Sequence, residues 1–178
     1  MSAFSCALLS WAAFCLSLFF ACRTTELPAP ADAAALTREA ENLMNAQRLD
    51  EAHRKVKQAI SIYEAGEDRE GLADAYNLLG YISKSRHAGE LYALDEAEQA
   101  FLRSMAAGRA AESIRWQAEG HLGLGMVFHQ RVDKLGEAQH KQAACSHYRA
   151  AQTLASRAHN DEFANTASRY AVQLQCPD

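Results

Sequence analysis

The chain has 178 residues, a formal net charge of −4 and 22% charged residues, with acidic and basic side chains interleaved along it. The length suits one domain of ordinary size, and the charge balance excludes the basic surface that nucleic-acid binding needs, so no nucleic-acid partner is expected. Thirty-six alanines, with few Val, Ile or Thr, weigh against strands, and the expected fold class is all-α.

Residues 1–21 stand apart from the rest. Met1 to Ala21 contains no charged residue, and Arg23 is the first charge in the chain. An end-of-chain helix apolar on every face would need a core wrapped round it, so a buried core helix fits poorly. A retained membrane span needs about 20 apolar residues, which this segment just reaches. A cleaved export signal is the other reading. The residues before Cys22, Leu18-Phe19-Phe20-Ala21, resemble the bacterial lipobox, in which a large apolar residue stands three before the cysteine and a small one directly before it. Beyond the cysteine, RTTELPAPADAA is polar and proline-bearing, the composition of a tether. The resemblance implies a lipoprotein signal peptide over 1–21, lipidation of Cys22 as the first mature residue, and a flexible tether over 22–31. An uncleaved transmembrane anchor and plain secretion are the alternatives. Because Arg23 rather than Asp follows the cysteine, the resemblance also implies the outer membrane, facing the periplasm.

From Ala31 to Cys176 there is no proline. Hydrophobic spacing predicts seven helices, at about 32–46, 49–64, 69–85, 92–107, 110–131, 138–158 and 161–175. Leu49, Ala52, Val56, Ala59 and Tyr63 mark the buried face of the second, and Ala144, Tyr148, Ala151 and Ala155 that of the sixth. Two motifs alternate along these helices. Tyr76-x2-Leu79-Gly80-x2-Ser83 recurs as His121-x2-Leu124-Gly125-x2-Phe128, more loosely as Phe163-x2-Thr166-Ala167-x2-Tyr170, and earlier as Leu36-x2-Glu39-Ala40-x2-Leu43. Between these, Ala52-x3-Val56-x2-Ala59 recurs as Ala97-x3-Phe101-x2-Ser104 and Ala144-x3-Tyr148-x2-Ala151. Gly80, Gly125, Ala52 and Ala97 are the small residues that would let helices approach closely.

This alternation resembles the tetratricopeptide repeat, a pair of antiparallel helices carrying these two motifs. The resemblance implies an α-α superhelix of about three helix pairs in a domain over 32–176. Its repeats would span about 32–66, 69–108 and 110–158, with a capping helix at 161–175 covering the last apolar face. The first-helix motifs recur at 40, 45 and 42 residues, against about 34 in the family, and the proline that usually closes each repeat is missing. The extra residues are expected in two loops, SRHAGELYA and QRVDKLGEAQH, as candidate partner-contact segments.

Arrays of this family bind a peptide or a partner helix in a groove formed by the first helices of the pairs. Placed on that pattern, Arg38, Glu41 and Asn45 would face the groove from the first pair. Asn77, Tyr81 and Lys84 would do so from the second, and Met126 and His129 from the third. Tyr81 stands where the family's carboxylate-binding Asn would be, so capture of a terminal carboxylate is not expected.

With Cys6 and Cys15 removed in a signal and Cys22 lipidated, Cys145 and Cys176 are left as an even pair, which in an exported chain suggests a disulfide. If the last two helices fold back around His159 and Asn160, both cysteines lie roughly 22 to 24 Å from the turn, and so side by side.

Seven histidines invite a metal hypothesis, and His140 and His147 fall on one helical face, but no third ligand accompanies them. His121 occupies a repeat position normally filled by a packing aromatic. GHLGLG lies inside a helical pattern and is no phosphate loop. No metal, no cofactor and no enzymatic activity is expected. The functions implied are a membrane-tethered adaptor or scaffold for a protein partner in the cell envelope, of the kind that serves as a pilotin for pilus or secretion channels, or alternatively a ligand-binding or transporter-associated component.

Overall fold

A computed structural model of the protein describes residues 30–177. The apolar segment 1–21, Cys22 and the expected tether as far as residue 29 lie outside the described residues. Seven α-helices follow one another: α1 Pro30–Asn45, α2 Leu49–Ala65, α3 Arg69–Ser85, α4 Leu91–Ala110, α5 Ile114–Leu135, α6 Ala138–Arg157 and α7 Asp161–Gln173. A short 3-10 turn, Arg86–Gly89, precedes α4, and no strand occurs among the described residues. The fold is all-α.

The first helix opens on Pro30, two residues inside the expected tether. A proline suits that place because its missing N–H would lack a partner in the first turn anyway. Asp68 Oδ1 caps α3 by accepting from the Gly71 N–H at 2.9 Å, and Asn160 Oδ1 caps α7 by accepting from the Phe163 N–H at 3.0 Å.

One turn is used repeatedly. Between α2 and α3 the Asp68 N–H bonds back to the Tyr63 carbonyl at 3.1 Å while Glu67, at φ 55°, bonds to Glu64. The same pair of bonds closes α4 through Ser113 and Glu112, and α6 through Asn160 and His159. It closes α1 as well, through Arg48 and Gln47. This is the Schellman arrangement, whose left-handed residue is usually glycine. Here Gln47, Glu67, Glu112 and His159 hold that position with φ between 54° and 59°.

Each helix packs on the next, and the odd-numbered helices α1, α3 and α5 also touch one another in order along the chain. Phe101 of α4 is fully buried between two glycines. A Cβ on Gly80 of α3 would come within 2.6 Å of its ring, and one on Gly123 of α5 within 2.3 Å. Gly125 meets the Tyr148 ring of α6 at 2.5 Å in the same sense. The glycines of the first motif thus seat the aromatic ring of the second motif rather than bringing two backbones together. In the first pair the aromatic is replaced by Val56 and the glycine by Ala40, both fully buried in one core: a smaller knob meets a smaller hole.

Two expectations are corrected. The end of α4 and the start of α5 fall later than predicted, at Ala110 and Ile114. The segments expected as inserted loops are largely helical. SRHAGELYA is taken up by the end of α3, the 3-10 turn and the first residues of α4, while QRVDKLGEAQH continues α5 to Leu135. Only Gly136 and Glu137 separate α5 from α6, Gly136 closing the helix at φ 66°. The extra length of α5 is held by Arg131, which is 8% exposed. Its guanidinium reaches Asp95 and Glu98 of α4, each at 2.6 Å, and lies 5.1 Å from the centre of the Phe128 ring. Such a buried cation needs both carboxylates.

Cys145 of α6 and Cys176, just after α7, form a disulfide with Cα atoms 5.5 Å apart. No described helix is long and apolar enough to cross a membrane.

Candidate functional site

Two hollows of several hundred Å³ flank the helix array. The first, about 440 Å³, opens on the odd-numbered helices. The second, about 540 Å³, lies on the even-numbered side, between Lys57 and Glu64 of α2 and Asp95 and Arg103 of α4.

Several polar groups in the second hollow are paired. The Tyr76 hydroxyl donates to Glu64 Oε1 at 2.7 Å, Asp95 pairs with Arg131, and Glu96 receives both Ser83 Oγ and His53 Nε2. The first hollow differs in two buried atoms. Asn77 of α3 and Trp116 of α5 line it, each only 5% exposed. Yet Asn77 Oδ1 and Trp116 Nε1 have no hydrogen-bond partner. Leaving such a buried group unsatisfied costs about 1–3 kcal/mol. Two residues that line this cleft carry such an atom, and none of the residues lining the hollow behind does.

The way the cleft is assembled follows from the repeat register. Ala34, Asp74 and Glu119 each stand two residues before the first residue of a first-helix motif, and all three line the cleft. Asp74 and Asn77 lie one turn apart on α3. Glu119 ties the front of the cleft together: Asn77 Nδ2 donates to its Oε2 at 2.7 Å, and Arg115 Nε donates to its Oε1 at 2.8 Å. The same Arg115 lies 4.4 Å from the centre of the Trp116 ring, a cation–π contact.

Burial pushes the Asp74 carboxyl above the ordinary carboxylate range; Arg115 opposes this, while Glu119 and Glu41 add to it. Burial also pushes the Tyr81 phenol up. Tyr81 meets Phe101 edge to face, ring centres 5.1 Å apart, which fixes the ring at the floor of the cleft.

Of the groove residues expected from the sequence, Arg38, Glu41, Asn77 and Tyr81 come together in this cleft. The other four do not line it. Asn45 is exposed at the last residue of α1. Lys84 is half-buried in the last turn of α3, and burial lowers the pKa of its ammonium. Met126 packs against the core that contains Tyr148 and Cys145. His129 turns toward α6, its Nδ1 3.2 Å from the Tyr148 hydroxyl. Asp74, Arg115, Trp116 and Glu119 are cleft residues that the sequence reading misses.

His121 and His147, 26 residues apart in sequence, come together with Nδ1 atoms 2.9 Å apart. His147 stacks on Phe128 with centroids 5.6 Å apart, and His140 stacks on the same ring at 6.0 Å. Burial and the neighbouring His147 lower the pKa of His121 to about 4, and burial lowers that of His147. Among the described residues no group of three or more His, Cys, Asp or Glu could hold a metal ion. Neither a known family model nor a curated protein matches the chain.

Proposed function

We propose that the chain is a tetratricopeptide-like adaptor, lipid-anchored through Cys22 at the periplasmic face of a bacterial outer membrane, that holds a segment of a partner protein against α1, α3 and α5. It carries out no chemistry itself. The observation that carries this reading is the cleft on the odd-numbered helices, where Asn77 Oδ1 and Trp116 Nε1 are buried without partners. A ligand with its own donors and acceptors satisfies those atoms once it parts the side chains that cover them.

The repeat architecture draws support from the alternation of the two motifs and from the recurrence of one turn between successive pairs. A protein segment is favoured over an enclosed small molecule because the inserted residues lengthen helices instead of folding over the cleft. Membrane tethering rests on the run Leu18-Phe19-Phe20-Ala21-Cys22 and the polar stretch after it.

The test is crosslinking and pull-down from membranes with the full chain, a Cys22→Ala form and a Tyr81→Ala form. A partner is recovered with the full chain, less of it with Cys22→Ala, and little with Tyr81→Ala. Identical recovery from all three would sink the reading. Mass spectrometry of the mature N-terminus tests the anchor separately: an unmodified Met1 or an unlipidated Cys22 removes the lipoprotein assignment.

A further inference from the structure

The partner-binding reading leaves open what kind of segment the cleft selects, and the charges and unpartnered atoms of the cleft bear on that choice. Asn77 has a fixed orientation. Glu119 can only accept, so the amide nitrogen must face it and the amide oxygen must face away. That oxygen therefore seeks a donor. Asp74, one turn earlier on α3, has no ion pair within 4 Å among the described residues, although it lines the same cleft. Both carboxylate oxygens of Glu119 are taken, by Asn77 and Arg115.

Three carboxylates (Glu41, Asp74, Glu119) and two guanidinium groups (Arg38, Arg115) line the cleft. Arg115 is already spent on Glu119, and Arg38 is exposed on α1. With Glu119 and Arg115 paired to each other, an anion entering the cleft would meet Asp74 and Glu41 with Arg38 alone to offset them. A cation meets an unpaired carboxylate, with an amide oxygen that lacks a donor buried beside it.

We infer that the cleft takes a lysine or arginine side chain from an exposed segment of the partner protein, its charged head at the Asp74 carboxylate, and that its entry parts the side chains covering Asn77 Oδ1 and Trp116 Nε1 so that these two atoms bond the same segment. This rests on the adaptor reading for the source of the side chain. Its chemistry rests on the cleft alone. Binding is linked to ionisation of Asp74, which faces Glu41 and Arg38 from α1, the Tyr63 phenol from α2, and Arg115 and Glu119 from α5. Because burial raises the Asp74 pKa, affinity for the cation rises with pH through and above the ordinary carboxylate range.

Trp116 supplies the readout. Trp11, ahead of Cys22, is the other tryptophan, so the mature protein, or the uncleaved chain carrying Trp11→Phe, reports from the cleft alone in detergent. Three blocked tripeptides serve as probes: acetyl-Gly-Lys-Gly-amide and its norleucine and glutamate counterparts. The lysine peptide is expected to shift Trp116 emission and to bind about tenfold more tightly than norleucine, the effect of one charge-assisted contact. Asp74→Asn is expected to abolish that preference. The comparison of lysine with norleucine uses the unsubstituted cleft, so the inference stays open to refutation even if Asp74→Asn misfolds. Norleucine or glutamate binding as tightly as lysine overturns it, and so does the absence of any response to millimolar lysine peptide. If glutamate binds instead, the adaptor reading stands and the cation assignment falls. If the lysine peptide binds while no partner is recovered from membranes, the cation assignment stands without the adaptor.

Discussion

The two end helices of the described chain, α1 and α7, are secured in different ways. α1 has 16 residues and packs on both α2 and α3. It buries Ala33, Thr37 and Ala40 and lays Leu36, Leu43 and Met44 on the first core. α7 has 13 residues and buries only Ala164 and Ala167 within its length, with Phe163 and Tyr170 half covered and Val172 74% exposed. The disulfide lies where this shorter helix ends, joining Cys176 back to α6. Apolar area scales with helix length, and a short helix with few buried side chains gains little from it. A covalent link at its far end adds what area does not, about 2–4 kcal/mol for a loop of this size.

The largest effect should come from the core between the two ends. Phe101→Ala empties the space between Gly80 and Gly123 and is expected to cost about 3–5 kcal/mol in urea unfolding, equally with and without reductant. If reductant changed that loss, the centre would depend on the C-terminal bond and the ends would not be separable.

Breaking the bond tests the comparison directly. Cys176→Ser together with Cys145→Ser is expected to cost about 2–4 kcal/mol. Hydrogen exchange should quicken through α7 while α1 keeps its protection. Equal loss of protection at α1 would mean the two ends are fastened to one cooperative unit.

A smaller, pH-dependent difference is expected at the seam between α5 and α6. The His121 and His147 nitrogens share one hydrogen bond, which needs at least one ring neutral. His121 has its pKa lowered from 6.5 to about 4, so below 6.5 the unfolded chain takes up a proton that the folded chain refuses. Stability contributed by that neutral ring is complete above 6.5 and is lost as pH falls toward about 4. The melting temperature should therefore drop over that interval, and the drop should shrink in His121→Phe. An unchanged pH profile in the variant would show that other groups carry it.

The smallest effect is a gain. Gln47→Gly next to α1 and His159→Gly next to α7 each replace a left-handed side-chain residue by the one that holds this conformation freely. About 0.5–1 kcal/mol of stabilisation is expected at each. A gain at 47 but none at 159 would mean that the disulfide already confines the unfolded chain around the last turn.

How far these features are legible in the sequence depends on how local their causes are. The turn at 66–68 carries Asp68, a capping residue, and is placed correctly. The turn at 111–113 lies in AGRAAES, where Glu112 takes the left-handed position and no glycine or asparagine marks it. The boundary there is accordingly set too early. Gly136 is the opposite case, a glycine at positive φ whose meaning is hidden because the charged residues before it look like loop but form the last turn of α5. Arg38, Glu41, Asn77 and Tyr81 follow from the repeat register. Asp74 and Glu119 obey the same register, at a spacing of 45 residues, and could have been found from it. The unpartnered state of Asn77 and Trp116, and the meeting of His121 with His147, depend on which helices lie side by side, and no spacing within one helix encodes that.

The hand-over between pairs has one further consequence. Chain leaves α2 at Glu67, α4 at Glu112 and α6 at His159 through the same two backbone hydrogen bonds and the same left-handed residue. A pair of helices is therefore a unit that enters and leaves by matching joints, and the length of the array is a quantity the sequence can change by whole units. Duplicating or excising 68–112 would change the cleft by one wall without asking any other turn to adopt a new shape.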